Sequence, residues 1–190
     1  MEQVKDIQIF YFHGLNSGEQ SSAFKHIKEV FPNTQLLKYN FIVYEKAYKE
    51  IESFLRNQTL DNLNTVFIGS GLGGYWANLF CSVFGIQTIL INPSLRPRKN
   101  LLKYTNEDFI CEARAYLFTA EPAKAYKEHP IRIYPRAVFI GLLDNVVNYH
   151  ETEKVLGNIA KFIYLPDEGH RLKNLQPVLD MIPRLVNTFL

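Results

Sequence analysis

The sequence has few cysteines, almost no net charge and no long apolar run. Cys81 and Cys111 are its only cysteines, which excludes a disulfide scaffold and a cysteine-based zinc finger and fits a reducing compartment. The net charge of +2 is too small to indicate a nucleic-acid or membrane partner. No segment approaches the roughly 18 apolar residues of a membrane span, and the run at 9–12 is too short for a signal peptide. We therefore expect a cytoplasmic protein that binds neither nucleic acid nor membranes.

The composition is that of a globular chain. Hydrophobic residues make up 47% and charged residues 21% of the 190 residues, close to the average for soluble domains. A chain of this size buries roughly 70% of the surface that it exposes when unfolded. The sequence therefore predicts one domain over residues 1–190.

Short apolar runs alternate with segments of helical periodicity. The predicted strands cover residues 7–12, 34–39, 65–68, 87–91, 137–141 and 162–165. The predicted helices cover 20–31, 44–56, the segment ending at 84, and the regions near 149–156 and 175–189. This alternation predicts an α/β fold with about six mostly parallel strands and helices on both faces.

The segment at about 93–136 interrupts that alternation. It carries nine basic and five acidic residues, so it has a net charge of +4 against −2 for the rest of the chain. Long insertions between sheet elements often act as lids. A lid-like insert and one more pair of surface helices are both consistent with this pattern.

A glycine cluster at 68–75 lies between a predicted strand and a predicted helix. Gly69, Gly71 and Gly74 fit the dinucleotide motif G-x-G-x-x-G. That motif normally opens the first βα unit and needs an acidic residue roughly 20 residues later to hold the ribose. The corresponding place is occupied by Asn92-Pro93-Ser94. We therefore expect no dinucleotide and no other cofactor.

The same cluster also fits the nucleophile elbow G-x-S-x-G, with Gly71 at the nucleophile position. Asp144 and His170 follow in the chain order expected for the acid and the base, each just after a predicted strand. The backbone N–H groups of Leu15, after the first strand, and Leu72, after the elbow residue, are the candidate oxyanion donors. The pattern favours a hydrolase-type site without a serine at its centre.

Five motifs in this order resemble a known family. They are FHGLNS at 12–17, GLGGYWA at 71–77, NPSLRP at 92–97, LDN at 143–145 and GHRLKN at 169–174. The chain resembles the YqiA and YcfP group of small bacterial α/β-hydrolase-fold proteins, and in particular the YcfP branch, which has glycine at the elbow. The resemblance implies an α/β-hydrolase fold of esterase or thioesterase lineage, with Asp144 and His170 at the acid and base positions.

The missing hydroxyl at Gly71 leaves several mechanisms open. Ser17, Ser70 and Ser94 are weaker candidates, because a nucleophile must meet its base at about 3 Å. Alternatively, water occupies the space beside Gly71 and the Asp144–His170 pair acts on it as a general base. The function is then that of a slow esterase-like hydrolase. The alternative is a catalytically silent hydrolase fold that binds a small molecule or a protein.

Basic residues follow the fourth predicted strand and so begin at the edge that carries the site. They are Arg96, Arg98, Lys99 and Lys103. Such a cluster favours an anionic ligand, for example an anionic acyl ester or thioester; the alternative is a solvated basic face. His26, His129 and His150 lack a common ligand spacing, so no metal site is predicted.

Overall fold

A computed structural model describes residues 6–111 and 114–187. Its strands are β1 (Gln8–Phe12), β2 (Thr34–Leu37), β3 (Thr65–Ser70), β4 (Thr88–Ile91), β5 (Asp108–Cys111), β6 (Arg114–Leu117), β7 (Arg136–Gly141) and β8 (Lys161–Leu165). Its helices are α1 (Ser22–Val30), α2 (Tyr44–Arg56), α3 (Leu72–Phe84), α4 (Pro97–Leu101), α5 (Ala120–Ala125), α6 (Tyr149–Leu156) and α7 (Gln176–Asn187). The end of the last predicted helix, at 188–189, lies outside the described residues.

The main sheet has six parallel strands in the order β2-β1-β3-β4-β7-β8. This confirms the predicted α/β architecture. None of the helices in the described parts of the chain is long and apolar enough to cross a membrane.

The central strands are buried on both faces, which explains their continuous apolar sequence. Phe10 and Phe12 of β1 pack into the core on the side of α2, α3 and α6. Ile9 and Tyr11 point to the opposite face and pack with residues of α1 and α7. The helices therefore cover both faces of the sheet, as the alternation of elements predicts.

The segment between β4 and β7 contains α4, the antiparallel hairpin β5–β6 and α5. It is thus not a simple pair of helices. Aromatic residues hold it to the domain: the Phe109 ring lies 6.2 Å from Phe41, and the Tyr126 ring lies 5.7 Å from Trp76. Within the segment, the Phe109 ring lies 5.6 Å from Phe118. Its action as a lid stays a prediction.

The carboxyl ends of the parallel strands lie at one edge of the sheet, where open α/β sheets place their ligand sites. Gly71 follows β3 directly, Asp144 lies three residues after β7, and His170 lies five residues after β8. The fold therefore brings these three sequence-distant residues to the same edge.

Candidate active site

Gly71 forms a sharp turn between β3 and α3. Its backbone angles are φ 55° and ψ −120°, a conformation that side chains other than glycine adopt only with strain. The Gly71 N–H donates to the Ile91 carbonyl at 3.0 Å, and the Gly71 carbonyl accepts from the N–H of Gly74 at 3.0 Å and of Ser94 at 2.9 Å. The turn is therefore fixed by β4 and by the loop that follows it.

The beginning of α3 packs directly on the end of β1. A Cβ added to Gly73 would lie 2.0 Å from the Phe12 carbonyl oxygen, and one added to Gly69 would lie 2.3 Å from the Gly73 carbonyl oxygen. The backbone segments approach so closely that neither position has room for a side chain. The glycine cluster at 68–75 therefore has a structural role, whatever its chemical role.

Asp144 and His170 form a hydrogen-bonded pair. The His170 Nδ1 lies 2.8 Å from Asp144 Oδ2, and the Asp144 side chain is only 2% exposed. The other carboxylate oxygen accepts from the N–H groups of Val146 at 2.7 Å and Val147 at 3.0 Å. Because Nδ1 carries its proton toward the carboxylate, Nε2 is left as the accepting nitrogen.

The Nε2 atom of His170 faces the turn at Gly71. A Cβ built on Gly71 would lie 3.5 Å from His170 Nε2 and 3.7 Å from its Cε1. A side-chain oxygen at residue 71 lies one bond beyond this Cβ, so it can approach the imidazole to hydrogen-bond distance. Gly71 and His170 both line a pocket of about 640 Å³.

The loop after β1 borders the same pocket. The Cβ position of residue 71 lies 3.9 Å from Gly14 Cα, and Leu15 and Leu72 both line the pocket. Leu72 is the first residue of α3, so its N–H has no acceptor within the helix. The two predicted oxyanion donors thus border the pocket that His170 faces; their use as an oxyanion hole stays a prediction.

The three alternative serines also line this pocket. The Ser17 hydroxyl donates to the Gly14 carbonyl at 3.1 Å, and the Ser94 hydroxyl accepts from Asn100 Nδ2 at 2.9 Å. Ser70 directly precedes the turn, at the end of β3. Which position acts as the nucleophile, residue 71 or one of these serines, stays a prediction.

Asn92 is a site residue that sequence reasoning missed. It is 2% exposed, has φ 42° and follows β4 directly. Its Nδ2 donates to the carbonyls of Gly169 at 2.9 Å and His170 at 3.0 Å, and its Oδ1 accepts from the Gly141 N–H at 2.8 Å. Asn92 therefore ties the histidine loop to the ends of β4 and β7. Two sequence signals mark it: it follows a predicted strand, and it opens the NPSLRP motif at 92–97.

The predicted basic cluster is divided in the structure. Arg96 and Lys99 both pair with Glu151, at 3.1 Å and 2.7 Å. Arg98 is exposed and lies outside the pocket, whereas Lys103 lines it and donates to the Val146 carbonyl. For metals, the described residues contain no group of three or more His, Cys, Asp and Glu side chains that could hold an ion.

The sheet order, the turn at Gly71 and the Asp144–His170 pair define an α/β-hydrolase-fold protein. The structure of Est1E from Butyrivibrio proteoclasticus with bound ferulic acid is similar to this chain. The superposition covers 97% of this chain and 89% of that chain, with a TM-score of 0.73 and 13% sequence identity. Alpha/beta hydrolase domain-containing protein 10 from mouse matches 96% of this chain with 90% of its own, at a TM-score of 0.72 and 15% identity. At such identities these similarities establish the fold alone.

The chain belongs to the uncharacterised protein family UPF0227, whose model matches residues 8–187. The UPF0227 protein YcfP of Escherichia coli O9:H4 is 24% identical over 181 residues, which are 92% of this chain and 96% of that protein. This confirms the resemblance to the YcfP branch. A UPF0227 protein of Shewanella loihica is 32% identical over 98 residues, and the match spans about half of each chain, 50% of this one and 54% of that protein.

Proposed function

We propose that this protein slowly hydrolyses acyl esters or thioesters, with water as the nucleophile and the Asp144–His170 pair as the general base. One observation carries the proposal: the Nδ1 of His170 is bonded to the buried Asp144 while Nε2 lies 3.5 Å from the Cβ position of residue 71. The base thus has the orientation that acyl transfer needs, and no side chain at residue 71 stands between it and the pocket.

In this mechanism the His170 Nε2 takes a proton from water while the water oxygen attacks the acyl carbonyl carbon. The carbonyl oxygen becomes an oxyanion, which the N–H groups of Leu15 and Leu72 stabilise. Collapse of the tetrahedral intermediate breaks the bond to the alcohol or thiol, and the leaving group takes the proton back from His170. Asp144 holds the imidazole in one orientation and stabilises its protonated form.

Turnover by this route is expected to be slow. The reaction has no covalent acyl intermediate that would divide one difficult step into two easier ones. General acid–base catalysis by a positioned side chain contributes typically about 10²–10⁴-fold.

The test compares the wild type with His170→Ala and Asp144→Asn on short p-nitrophenyl esters and thioesters. We expect slow wild-type turnover that falls by about 100-fold or more in His170→Ala. His150→Ala is the matched control, because His150 is exposed, pairs with Glu153 at 2.8 Å and lies outside the pocket. Intact-mass spectra taken during turnover are expected to show no acylated protein.

Acylated protein in those spectra, mapped by peptide mass spectrometry to Ser17, Ser70 or Ser94, would replace the water mechanism with a serine nucleophile. Equal turnover by the wild type and His170→Ala would favour the second candidate, a catalytically silent fold that binds a small molecule or a protein. The observation that favours this candidate is that residue 71 supplies no nucleophilic atom although a pocket of about 640 Å³ is present.

A further inference from the structure

We infer that the pocket beside His170 binds an anionic group of the substrate through Lys103 and Arg171. The inference rests on the proposed function, since it names the class of acyl ester or thioester that the site takes. Arg171 directly follows His170 in the chain and was not among the basic residues that the sequence singled out.

The charge of the pocket wall is of one sign. Among the described residues that line the pocket, Lys103 and Arg171 carry full positive charges, and none is Asp or Glu. The nearby carboxylate of Asp144 is 2% exposed and is bonded to His170 and to two backbone N–H groups. The Asp144 carboxylate is therefore hidden from direct contact with an entering anion, and the full charges on the lining side chains are those of Lys103 and Arg171.

Lys103 and Arg171 also differ from Arg96 and Lys99 in having no carboxylate partner within the described residues. Arg96 and Lys99 are neutralised by Glu151. Lys103 donates to a neutral backbone carbonyl, that of Val146, which leaves two of the three N–H donors of an ammonium group for other acceptors. Arg171 is exposed and makes no hydrogen bond or ion pair in the part of the chain that the structure describes.

The rest of the wall indicates what accompanies the anionic group. Apolar side chains from the insert, the acid loop and the histidine loop line it: Leu101, Phe109, Val146, Val147, Leu172 and Leu175. A volume of about 640 Å³ lies within the usual range for small-molecule sites. The ligand class is therefore an ester or thioester with an apolar portion and a carboxylate or phosphate group.

The experiment measures binding without turnover. Adipate and hexyl phosphate are compared with neutral hexanamide by isothermal titration calorimetry at low salt, on the wild type, Lys103→Met, Arg171→Met and Lys173→Met. Lys173 is the matched control, because it lies exposed on the same loop but outside the pocket. We expect the anions to bind and each pocket variant to weaken them by about two- to fivefold, with Lys173→Met unchanged. The tighter of the two anions identifies the group as a carboxylate or a phosphate.

Hexanamide that binds as well as adipate, or a Lys173→Met variant as impaired as Arg171→Met, would overturn the inference. His170→Ala separates it from the proposed function, because this variant is expected to keep anion binding. Anion binding by the wild type without ester turnover would refute hydrolysis and support the anion site. Equal turnover of neutral and anionic acyl esters would support hydrolysis and refute the anion site.

Discussion

The Asn92 side chain makes three hydrogen bonds to backbone groups at the site. A residue that only stabilises a turn does not need all three. Asn92→Asp keeps the oxygen that accepts from the Gly141 N–H but places a second oxygen against the carbonyls of Gly169 and His170. We expect the histidine loop to shift, the free energy of unfolding to fall by about 1–3 kcal/mol, and the ester hydrolysis rate to fall at unchanged KM. Urea unfolding measures the change in stability, and steady-state kinetics measure the rate and KM. The NMR shifts of the His170 imidazole nitrogens report the shift of the loop.

The control for this prediction is Asn78→Ala. Asn78 is also buried, and its Oδ1 accepts from Arg136 Nε at 2.8 Å. Its loss is expected to reduce stability by a similar amount while the His170 resonances and the hydrolysis rate stay unchanged. If both variants lowered the rate equally, Asn92 would have no role beyond stability.

The position of Asp144 and His170 at one edge of the sheet could be predicted from the sequence, because each lies in the loop that follows a strand and the carboxyl ends of parallel strands meet at one edge. Asn92 could not be predicted in the same way, since its side chain bonds to a carbonyl 77 residues away. Likewise the pairing of Arg96 and Lys99 with Glu151 depends on how α4 packs beside α6. Side-chain partners across loops are set by tertiary packing, which a local pattern does not contain.

At the scale of elements, α3 keeps its place against β1 because Gly73 has no side chain. A Cβ there would lie 2.0 Å from the Phe12 carbonyl oxygen, so Gly73→Ala must displace the helix or the strand end. We expect this variant to lower the free energy of unfolding by more than backbone strain alone would, which is about 1–3 kcal/mol. Gly157→Ala, with φ 49° and nothing within 4 Å of the added Cβ, gives the strain-only reference. Similar urea midpoints for the two variants would contradict this packing.

The four central strands of the main sheet are predictable from the sequence because each is a short, largely apolar run that is buried on both faces. The edge strands β2 and β8 are only partly buried, and the alternation of strands with helices predicts them instead. The hairpin β5–β6 is not predictable in either way. Its strands have four residues each, and the burial of β5 alternates between exposed and buried. A stretch of four residues within a charged insert is too short for its alternation to distinguish a strand from a loop.

For the whole molecule, burial of His13 links stability to pH. The ring is 5% exposed and stacks on Tyr39 at 4.4 Å, and this burial lowers the pKa of His13 below its ordinary 6.5. As the pH falls below about 6.5, the unfolded chain takes up a proton that the folded protein does not. The free energy of unfolding is therefore expected to be lower at pH 5.5 than at pH 7.5.

His13→Asn checks this contribution by urea unfolding at the two pH values. Asparagine keeps a donor near the Nδ1 position, which lies 2.8 Å from the Gly14 carbonyl, but does not titrate. The variant is expected to be less stable at pH 7.5, since the stacking is lost, and to show a smaller decrease toward pH 5.5. Burial also lowers the pKa of His129, so part of the decrease remains. An unchanged pH dependence would contradict the role of His13.

The most direct measurement of the central claim is fluorophosphonate labelling of Gly71→Ser, because it asks whether His170 is poised to activate an oxygen at residue 71. The φ of 55° costs serine about 1–3 kcal/mol, which a stability of about 5–15 kcal/mol can accommodate. We expect no labelling of the wild type, labelling of Gly71→Ser at residue 71, and none of Gly71→Ser combined with His170→Ala or of the remote control Gly157→Ser. A folded Gly71→Ser that stays unlabelled, or labelling that persists without His170, would contradict an Asp144–His170 base directed at this position.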